Sequence, residues 1–464
     1  MVFSGFSFLF LFFPAVLILY FALPGIRAKN IVLCLTSLLF YSWGEPVYLF
    51  LMLASILINY TAGLGIERFH AKKKLILVAD LVINLGTLAY CKYTDFFIDN
   101  VNQLAGTALP HAGIALPLGI SFYTFQILSY VIDVYRGETQ AQKNIILLTT
   151  YISLFPQLVA GPIVRYDTVE NELHCRKTTA TDFGDGLSRF LYGLGKKVII
   201  ANQMAKAADA IFEAAGTASA PVLWLGVIFY TLQIYYDFSG YSDMAIGMGR
   251  IFGFHFLENF NYPYIAVSVT DFWRRWHISL SGWFREYVYI PMGGNRRGLP
   301  RQILNMMTVW LLTGLWHGAS WNFVLWGVYY GMILVLEKTI LKKPLEHLPY
   351  FLKHLMTLLV IMIGWAIFRS DEPGLLSQVF GGMFLLDPRE AGTFMTEHAD
   401  ILQSLWFLPA ALIGCLPLRD RIRVKHGEKK WFIPVRNICA IVIWFLSIAL
   451  LLGESYNPFI YFRF

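Results

Sequence analysis

Two of the chain's ten histidines stand in surroundings that penalise a polar ring. His317 lies in LLTGLWHGASWNFVLWGVYYG (311–331), where it is the one Asp, Glu, Lys, Arg or His between Arg301 and Glu337. Imidazole takes up and returns a proton near neutral pH, which suits it to general-base chemistry. An ionisable group inside an apolar membrane segment is expensive, so by default it turns to a cavity or a partner and marks function. Gly318-Ala319-Ser320 reads as a helix break with Ser320 as the next N-cap, which places His317 just before a helix N-terminus. There the dipole disfavours imidazolium, and free backbone N–H groups can stabilise an oxyanion. Gly314 with Gly318, and Gly327 with Gly331, have the small-xxx-small spacing of close helix packing.

His277 lies in DFWRRWHISLSGWFREYVYIPMGG (271–294). Trp273, Trp276, Leu280, Trp283, Phe284 and Tyr287 follow helical i, i+3, i+7 spacing, which predicts one amphipathic helix lying at the membrane interface with the tryptophans as anchors. Arg274 and Arg275 would meet lipid headgroups or an anionic ligand such as donor phosphates. His277 falls four residues after Trp273, at the edge of the aromatic stripe, and so turns toward the protein. Trp276 and Trp316 each precede a motif histidine and join the arginines as candidate substrate-binding residues. YYDFSGYSDMAIGMGR (235–250) gathers Asp237 and Asp243 among hydroxyls, as a water-accessible pocket does. An aspartate there either orients a histidine through its second ring nitrogen or caps a helix.

The elements that must position these groups are membrane helices. Of the 464 residues, 57% are hydrophobic and only 14% charged, which excludes a soluble surface. Apolar runs fall at 3–24, 31–43, 46–66, 75–92, 116–135, 146–160, 185–204, 222–236, 302–316, 319–337, 353–370, 401–418 and 435–453. Runs near fifteen residues reach only about 22 Å as helix, so some are re-entrant or paired, and about 10–12 crossings are expected. In FPQLVAGPIVR (155–165), Pro156, Gly161 and Pro162 break one run in the manner of a re-entrant turn. The fold class expected is an all-α integral membrane protein, a single multi-pass domain over 1–464, with re-entrant and interfacial helices around a central polar channel.

The net charge of +7 sits in short basic segments between apolar runs, at 67–74, 274–301, 338–343 and 419–430. The positive-inside bias makes these cytoplasmic, and the acidic segment 370–400 and the N-terminus outside. Lipid and topology thus account for the charge without nucleic acid. The first apolar run has its basic residues after it, opposite to a signal peptide, and is read as a retained span. Five singly placed cysteines argue against a disulfide framework or structural zinc, and no metal site is expected. Gly193-Leu194-Gly195-Lys196-Lys197 lacks the first glycine and the hydroxyl of a phosphate-binding loop. No serine-hydrolase elbow, zinc-protease motif or dinucleotide fingerprint is present, which leaves a transferase without a bound cofactor.

Across most of the chain the sequence resembles the membrane-bound O-acyltransferase family, in the branch that acetylates alginate or peptidoglycan. The resemblance is carried by MVFSGFSFLFLFFP, FPQLVAGPIVRY, YYDFSGYSDMAIG, WRRWHISLSGWFREYVYIPMGG, LTGLWHGASWNF and NPFIYFRF. It implies that His317 is the family's essential histidine and His277 the second motif histidine. It also implies a bacterial inner-membrane enzyme that moves an acyl group, acetyl from acetyl-CoA, from a cytoplasmic thioester toward hydroxyls of an extracytoplasmic polysaccharide, with partner proteins on the far side completing transfer. Glu286 and Met292 stand where Asp and Leu are expected in alginate relatives, which leaves the acceptor polymer open. D-alanyl transfer to teichoic acid from a carrier protein, and a non-enzymatic polymer exporter or scaffold, are the competing readings.

Overall fold

The computed structural model describes residues 1–159, 161–372, 374–384, 399–453 and 456–458. Much of the acidic segment 370–400, and the closing NPFIYFRF motif beyond Pro458, lie outside the described residues. Every regular element among the described residues is helical. The apolar runs become helices whose outward faces carry large hydrophobic side chains, as on the last helix, where Ile438, Ile441, Phe445 and Leu446 are exposed. Burying such a face against lipid replaces the protein core as the driving force.

The chain divides into two compact units, Met1–Phe190 with Met244–Leu257, and Leu191–Asp243 with Glu258–Phe464. In chain order the first nine helices are α1 (Phe13–Ala22), α2 (Ile26–Gly44), α3 (Tyr48–Arg68), α4 (Lys73–Ala105), α5 (Ile120–Arg136), α6 (Ile145–Ser153), α7 (Phe155–Leu158), α8 (Tyr166–His174) and α9 (Ala180–Gly195). The run 3–24 begins as a π-type turn, Ser7–Phe12, before α1. The run 146–160 breaks after Ser153, as its Pro156 and Gly161 require. At Gly161 a Cβ would come within 2.5 Å of Gln157 Cα, so the turn closes only on glycine. A cluster of phenylalanines, among them Phe3, Phe8, Phe40 and Phe155, forms the first unit's core.

The remaining helices are α10 (Asn202–Glu213), α11 (Ala220–Ile251), α12 (Val269–Arg275), α13 (Ile278–Phe284), α14 (Leu299–His317), α15 (Trp321–Lys338), α16 (Lys342–His347), α17 (Tyr350–Arg369), α18 (Leu375–Met383), α19 (Ala399–Leu405), α20 (Leu408–Gly414), α21 (Leu418–His426) and α22 (Phe432–Gly453). Among the described residues four helical stretches are long and apolar enough to cross a membrane alone: Tyr48–Arg68, His70–Ala105, Tyr350–Arg369 and Phe432–Gly453. A fifth crossing arises if Ile401–Gly414 and Leu418–His426, bent by 50°, act together. The 10–12 crossings expected from apolar runs exceed the four or five that length and composition alone carry among the described residues, and any further crossing would fall to shorter or more polar helices that need protein neighbours at depth.

The second unit is organised by the α14–α15 hairpin. A Cβ on Gly314 would lie 2.3 Å from the Phe323 carbonyl oxygen, and one on Gly327 would lie 2.4 Å from the Trp310 carbonyl oxygen. These contacts leave no room for a side chain, so the glycine spacing sets the distance between the helices. Trp326, Tyr330, Trp365 and Trp276 pack behind the hairpin as a buried aromatic core.

Candidate active site

The break at Gly318 is present. The helix α14 ends at His317, Gly318 is extended at φ −170°, and Ser320 stands at the N-cap position of α15 without capping it. The Ser320 hydroxyl bonds the Asn322 side chain instead. His317 is consequently the last residue of one helix as well as the neighbour of the next. The carbonyl end of α14 and the amide end of α15 both lie beside the ring. Its ring is 6% exposed and lies edge-on to Trp316, Trp326 and Phe368 at 5.0, 5.2 and 5.2 Å. Asn322 Nδ2 donates to the Phe368 carbonyl at 3.0 Å, tying the start of α15 to the end of α17 beside that ring.

The segment 271–294 is not one helix. It breaks at Trp276, which is extended, and His277, which is left-handed at φ 46° and ψ 54°. Its second half continues into a π-type turn, Arg285–Tyr289. The i, i+3, i+7 pattern is satisfied by two short helices whose aromatic side chains are inside the protein. Trp276 is 3% exposed and packs on Phe260, Phe272 and Trp365, so it is a core residue and not an interfacial anchor. The break is held by main-chain pairing with a preceding loop, Asn261 N–H donating to Arg275 O at 2.9 Å and Ile278 N–H to Asn259 O at 3.0 Å. The N-terminus of α12 is fixed to α15 by Glu337, whose carboxylate accepts from the Val269 and Thr270 backbone N–H groups at 2.7 and 2.9 Å. Ser268 completes the cap with a bond from Asp271 N–H at 3.0 Å.

Both histidines line one cavity of about 840 Å³, together with Trp273, Arg274, Trp276, Arg285, Glu337, Lys338, Lys342 and Lys353 among others. From α14 it takes Met306, Val309, Trp310, Thr313 and His317, one face of the helix over about 16 Å. From the far end of α15 it takes Leu334, Glu337 and Lys338. The cavity is therefore elongated, with His317 where α14 meets α15 and a lysine-rich region at the opposite end of the hairpin. His277 is 2% exposed, and its Nδ1 lies 3.1 Å from Asn259 Oδ1. It sits outside the membrane-crossing helices, and burial pulls its pKa from 6.5 down to about 3, which leaves the ring neutral. Trp273 Nε1 is buried on the cavity wall without a partner, a free indole donor.

The other sequence candidates divide. Arg274 lines the cavity, whereas Arg275 donates to Asp271 at 2.9 Å and to the Asn261 carbonyl at 3.3 Å, a structural clamp. Trp316 stands off the wall with its ring between the histidines, 6.0 Å from His277 and 5.0 Å from His317. Asp237 and Asp243 do not line the cavity. They pair with Lys197 at 2.6 Å and Lys196 at 2.7 Å, on the π-type turn Lys196–Ala201. The signal for these pairs was available, since two adjacent lysines inside the apolar run 185–204 demand counter-charges. Asn259, which holds the His277 side chain, carried no such signal. Among the described residues no cluster of metal-ligating side chains occurs.

A helical membrane protein with two buried histidines facing one long cavity is a narrow class. The membrane-bound O-acyltransferase family model matches residues 141–343, which hold both histidines and most of the cavity lining. The chain is 37% identical to a probable alginate O-acetylase of Pseudomonas putida, over 100% of both chains. It is 33% identical to a peptidoglycan O-acetyltransferase of Helicobacter pylori, over 98% of this chain and 96% of that one. A teichoic acid D-alanyltransferase of Bacillus subtilis is 29% identical over 48% of this chain and 59% of its own. The chain belongs to the membrane-bound O-acyltransferase family and is a membrane O-acyltransferase.

Proposed function

We propose that the enzyme transfers acetyl from a cytoplasmic thioester, acetyl-CoA, to a hydroxyl of a cell-surface polysaccharide at the bacterial inner membrane, with His317 as the general base. The observation that carries this reading is the single cavity joining His277 and His317 to Lys338, Lys342 and Lys353. Lysines placed about a helix length from the histidines fit the phosphates of a donor whose thioester sits on a long arm. Arg274 supplies a further cation on the same wall. The basic segment 338–343 faces the cytoplasm under the positive-inside bias, so the donor enters there and the N-terminus lies outside.

A thioester carries its own leaving group, so the protein has to align it with the hydroxyl and supply a base. His317 takes the hydroxyl proton as the oxygen attacks the acyl carbon and the C–O bond forms. When the C–S bond breaks, the same proton passes to the departing sulfur, and a free thiol leaves. Trp273 Nε1–H is available to the developing oxyanion. Acetyl is favoured over D-alanyl because the full-length similarity is to proteins named for acetylation. The acceptor is alginate-like or peptidoglycan, reached with partner proteins outside.

The test is transfer from labelled acetyl-CoA in membranes with normal levels of wild-type or His317→Ala enzyme, supplied with the candidate polymers. Wild-type transfer that falls by about 10²- to 10⁴-fold in the variant is the expected result. Undiminished transfer by the variant removes His317 as the base, and transfer from a carrier-bound alanyl thioester in place of acetyl-CoA replaces the donor.

A further inference from the structure

His277 has a side-chain environment that specifies which of its nitrogens carries the proton. Asn259 is completely buried, and one end of its amide is met by three groups. These are the Ser279 backbone N–H at 3.3 Å, the Ser279 hydroxyl at 2.9 Å and His277 Nδ1 at 3.1 Å. A backbone N–H only donates, so the amide end that faces it is the oxygen. The amide NH2 then points the other way, and it donates to Ser242 Oγ on α11 at 3.1 Å. An oxygen acceptor at Nδ1 requires a proton on Nδ1. The remaining nitrogen, Nε2, is buried without a partner on a side chain that lines the cavity. An unmet buried acceptor is unfavourable unless a ligand completes it.

The backbone supports the same arrangement. His277 is held at φ 46°, a left-handed conformation that costs a non-glycine residue about 1 kcal/mol or more. The Asn259 carbonyl receives the Ile278 N–H immediately after it, at 3.0 Å. Asn259 thus fixes both the backbone turn and the ring. No carboxylate among the described residues pairs with that ring. On α11, Phe238 lies edge-on to it at 4.7 Å, while Asp237 and Asp243 are taken by Lys197 and Lys196. On α14 the nearest groups are Trp316 and, in the same cavity, His317; Arg274 is the cavity cation on its own segment.

We infer that Asn259 is a positioning residue for acyl transfer, holding His277 as the tautomer protonated on Nδ1 so that its Nε2 lone pair accepts a hydrogen bond from a non-reacting O–H or N–H of a bound reactant. This rests on the function proposed above. In the ground state Nε2 orients the reactant through that second donor, while the proton of the attacking hydroxyl faces His317 and is removed by it; His277 itself stays neutral through the cycle.

Nitrogen-15 NMR of wild-type enzyme labelled at histidine, with His277→Gln used to assign the signal, reads the tautomer directly. A protonated Nδ1 and an unprotonated Nε2 are expected, and the reverse overturns the inference. Two variants test the consequence. Asn259→Leu frees the ring, and kcat is expected to fall roughly ten-fold or more with the donor KM within about two-fold. Asn259→Asp keeps every acceptor contact but adds a charge that favours imidazolium. Its kcat should recover at alkaline pH and fall on acidification at a higher pH than in wild type, an acid limb added to the one that the base His317 imposes. A Leu variant within two-fold of wild-type kcat, or an Asp variant with an unshifted profile, overturns the positioning role. If the Leu variant does not fold, the Asp profile decides. A failure of His317→Ala to lose activity would sink the proposed base while leaving the tautomer result intact.

Discussion

Around His317 aromatic contacts are prominent. Three aromatic rings surround the imidazole, and the helix that carries it is set against its neighbour by glycines at van der Waals contact. Around His277 the fixing contacts are polar: one asparagine, two serines and a strained backbone turn specify the ring. The first arrangement holds the ring in an aromatic enclosure at a helix end, which suits a group kept in place while it gains and loses a proton. The second fixes the proton and suits a group that accepts a hydrogen bond in one direction. The pair therefore divides the work between proton transfer and orientation, and each half fails in its own way when disturbed.

The largest expected effect is on the base. Single-turnover rates for His317→Ala should fall by about 10²- to 10⁴-fold, against roughly ten-fold for His277→Gln, which keeps an acceptor and a donor of similar reach. Equal losses from the two variants would break the division of roles. Next comes the lysine end of the cavity. Charge reversal in Lys338→Glu with Lys342→Glu should raise the KM for acetyl-CoA by at least about ten-fold while kcat from saturating donor is held, because about 1.4 kcal/mol of phosphate attraction corresponds to that factor. A kcat defect without a KM defect places the donor elsewhere.

The third prediction contrasts packing in the two regions. A side chain at Gly327 must displace the Trp310 carbonyl, so Gly327→Ala should destabilise the detergent-solubilised protein by about 1–3 kcal/mol, read as a fall in Tm. Gly282, on α13 beside the His277 turn, has nothing within 4 Å of where an added methyl would sit, and Gly282→Ala should stabilise by roughly 0.5–1 kcal/mol through helix propensity. If both variants behave alike, glycine packing does not distinguish the regions.

The same contrast explains what the sequence discloses. The His317 region was legible because its signals are local: a polar ring interrupting an apolar run, a Gly-Ala-Ser break, and glycines four apart. The His277 region was legible only as a pattern. Helical spacing from Trp273 to Tyr287 suits one helix as well as two, and the break between Trp276 and His277 is imposed by pairing with residues 259–261. Asn259 sits 18 positions from the ring it holds, in a loop whose sequence has no periodicity. Arg274 and Arg275 look equivalent in the chain, and only the helix start at Ser268 and Glu337 decides that the first faces the cavity while the second clamps Asp271. Fold class needed composition alone, whereas the number of crossings depends on which short helices find protein neighbours.

The last prediction concerns acid stability. His277 has a free value of 6.5 and is lowered to about 3 by burial, so between those limits the unfolded chain binds a proton that the folded chain does not. Folding stability therefore rises with pH across that window and is lost on acidification below 6.5. The sign is opposite to that of a histidine stabilised by a carboxylate, because here the neutral form is the one the fold accommodates. His277→Gln removes the titration but keeps a polar side chain beside Asn259. Melting curves of wild type and variant between about pH 7 and pH 4 should diverge, with the wild-type Tm falling more steeply on acidification. Parallel curves would mean that folded His277 takes up its proton over the same pH range as the unfolded chain, so that below about 6.5 its Nε2 would be a donor and its direction of hydrogen bonding toward the reactant would reverse.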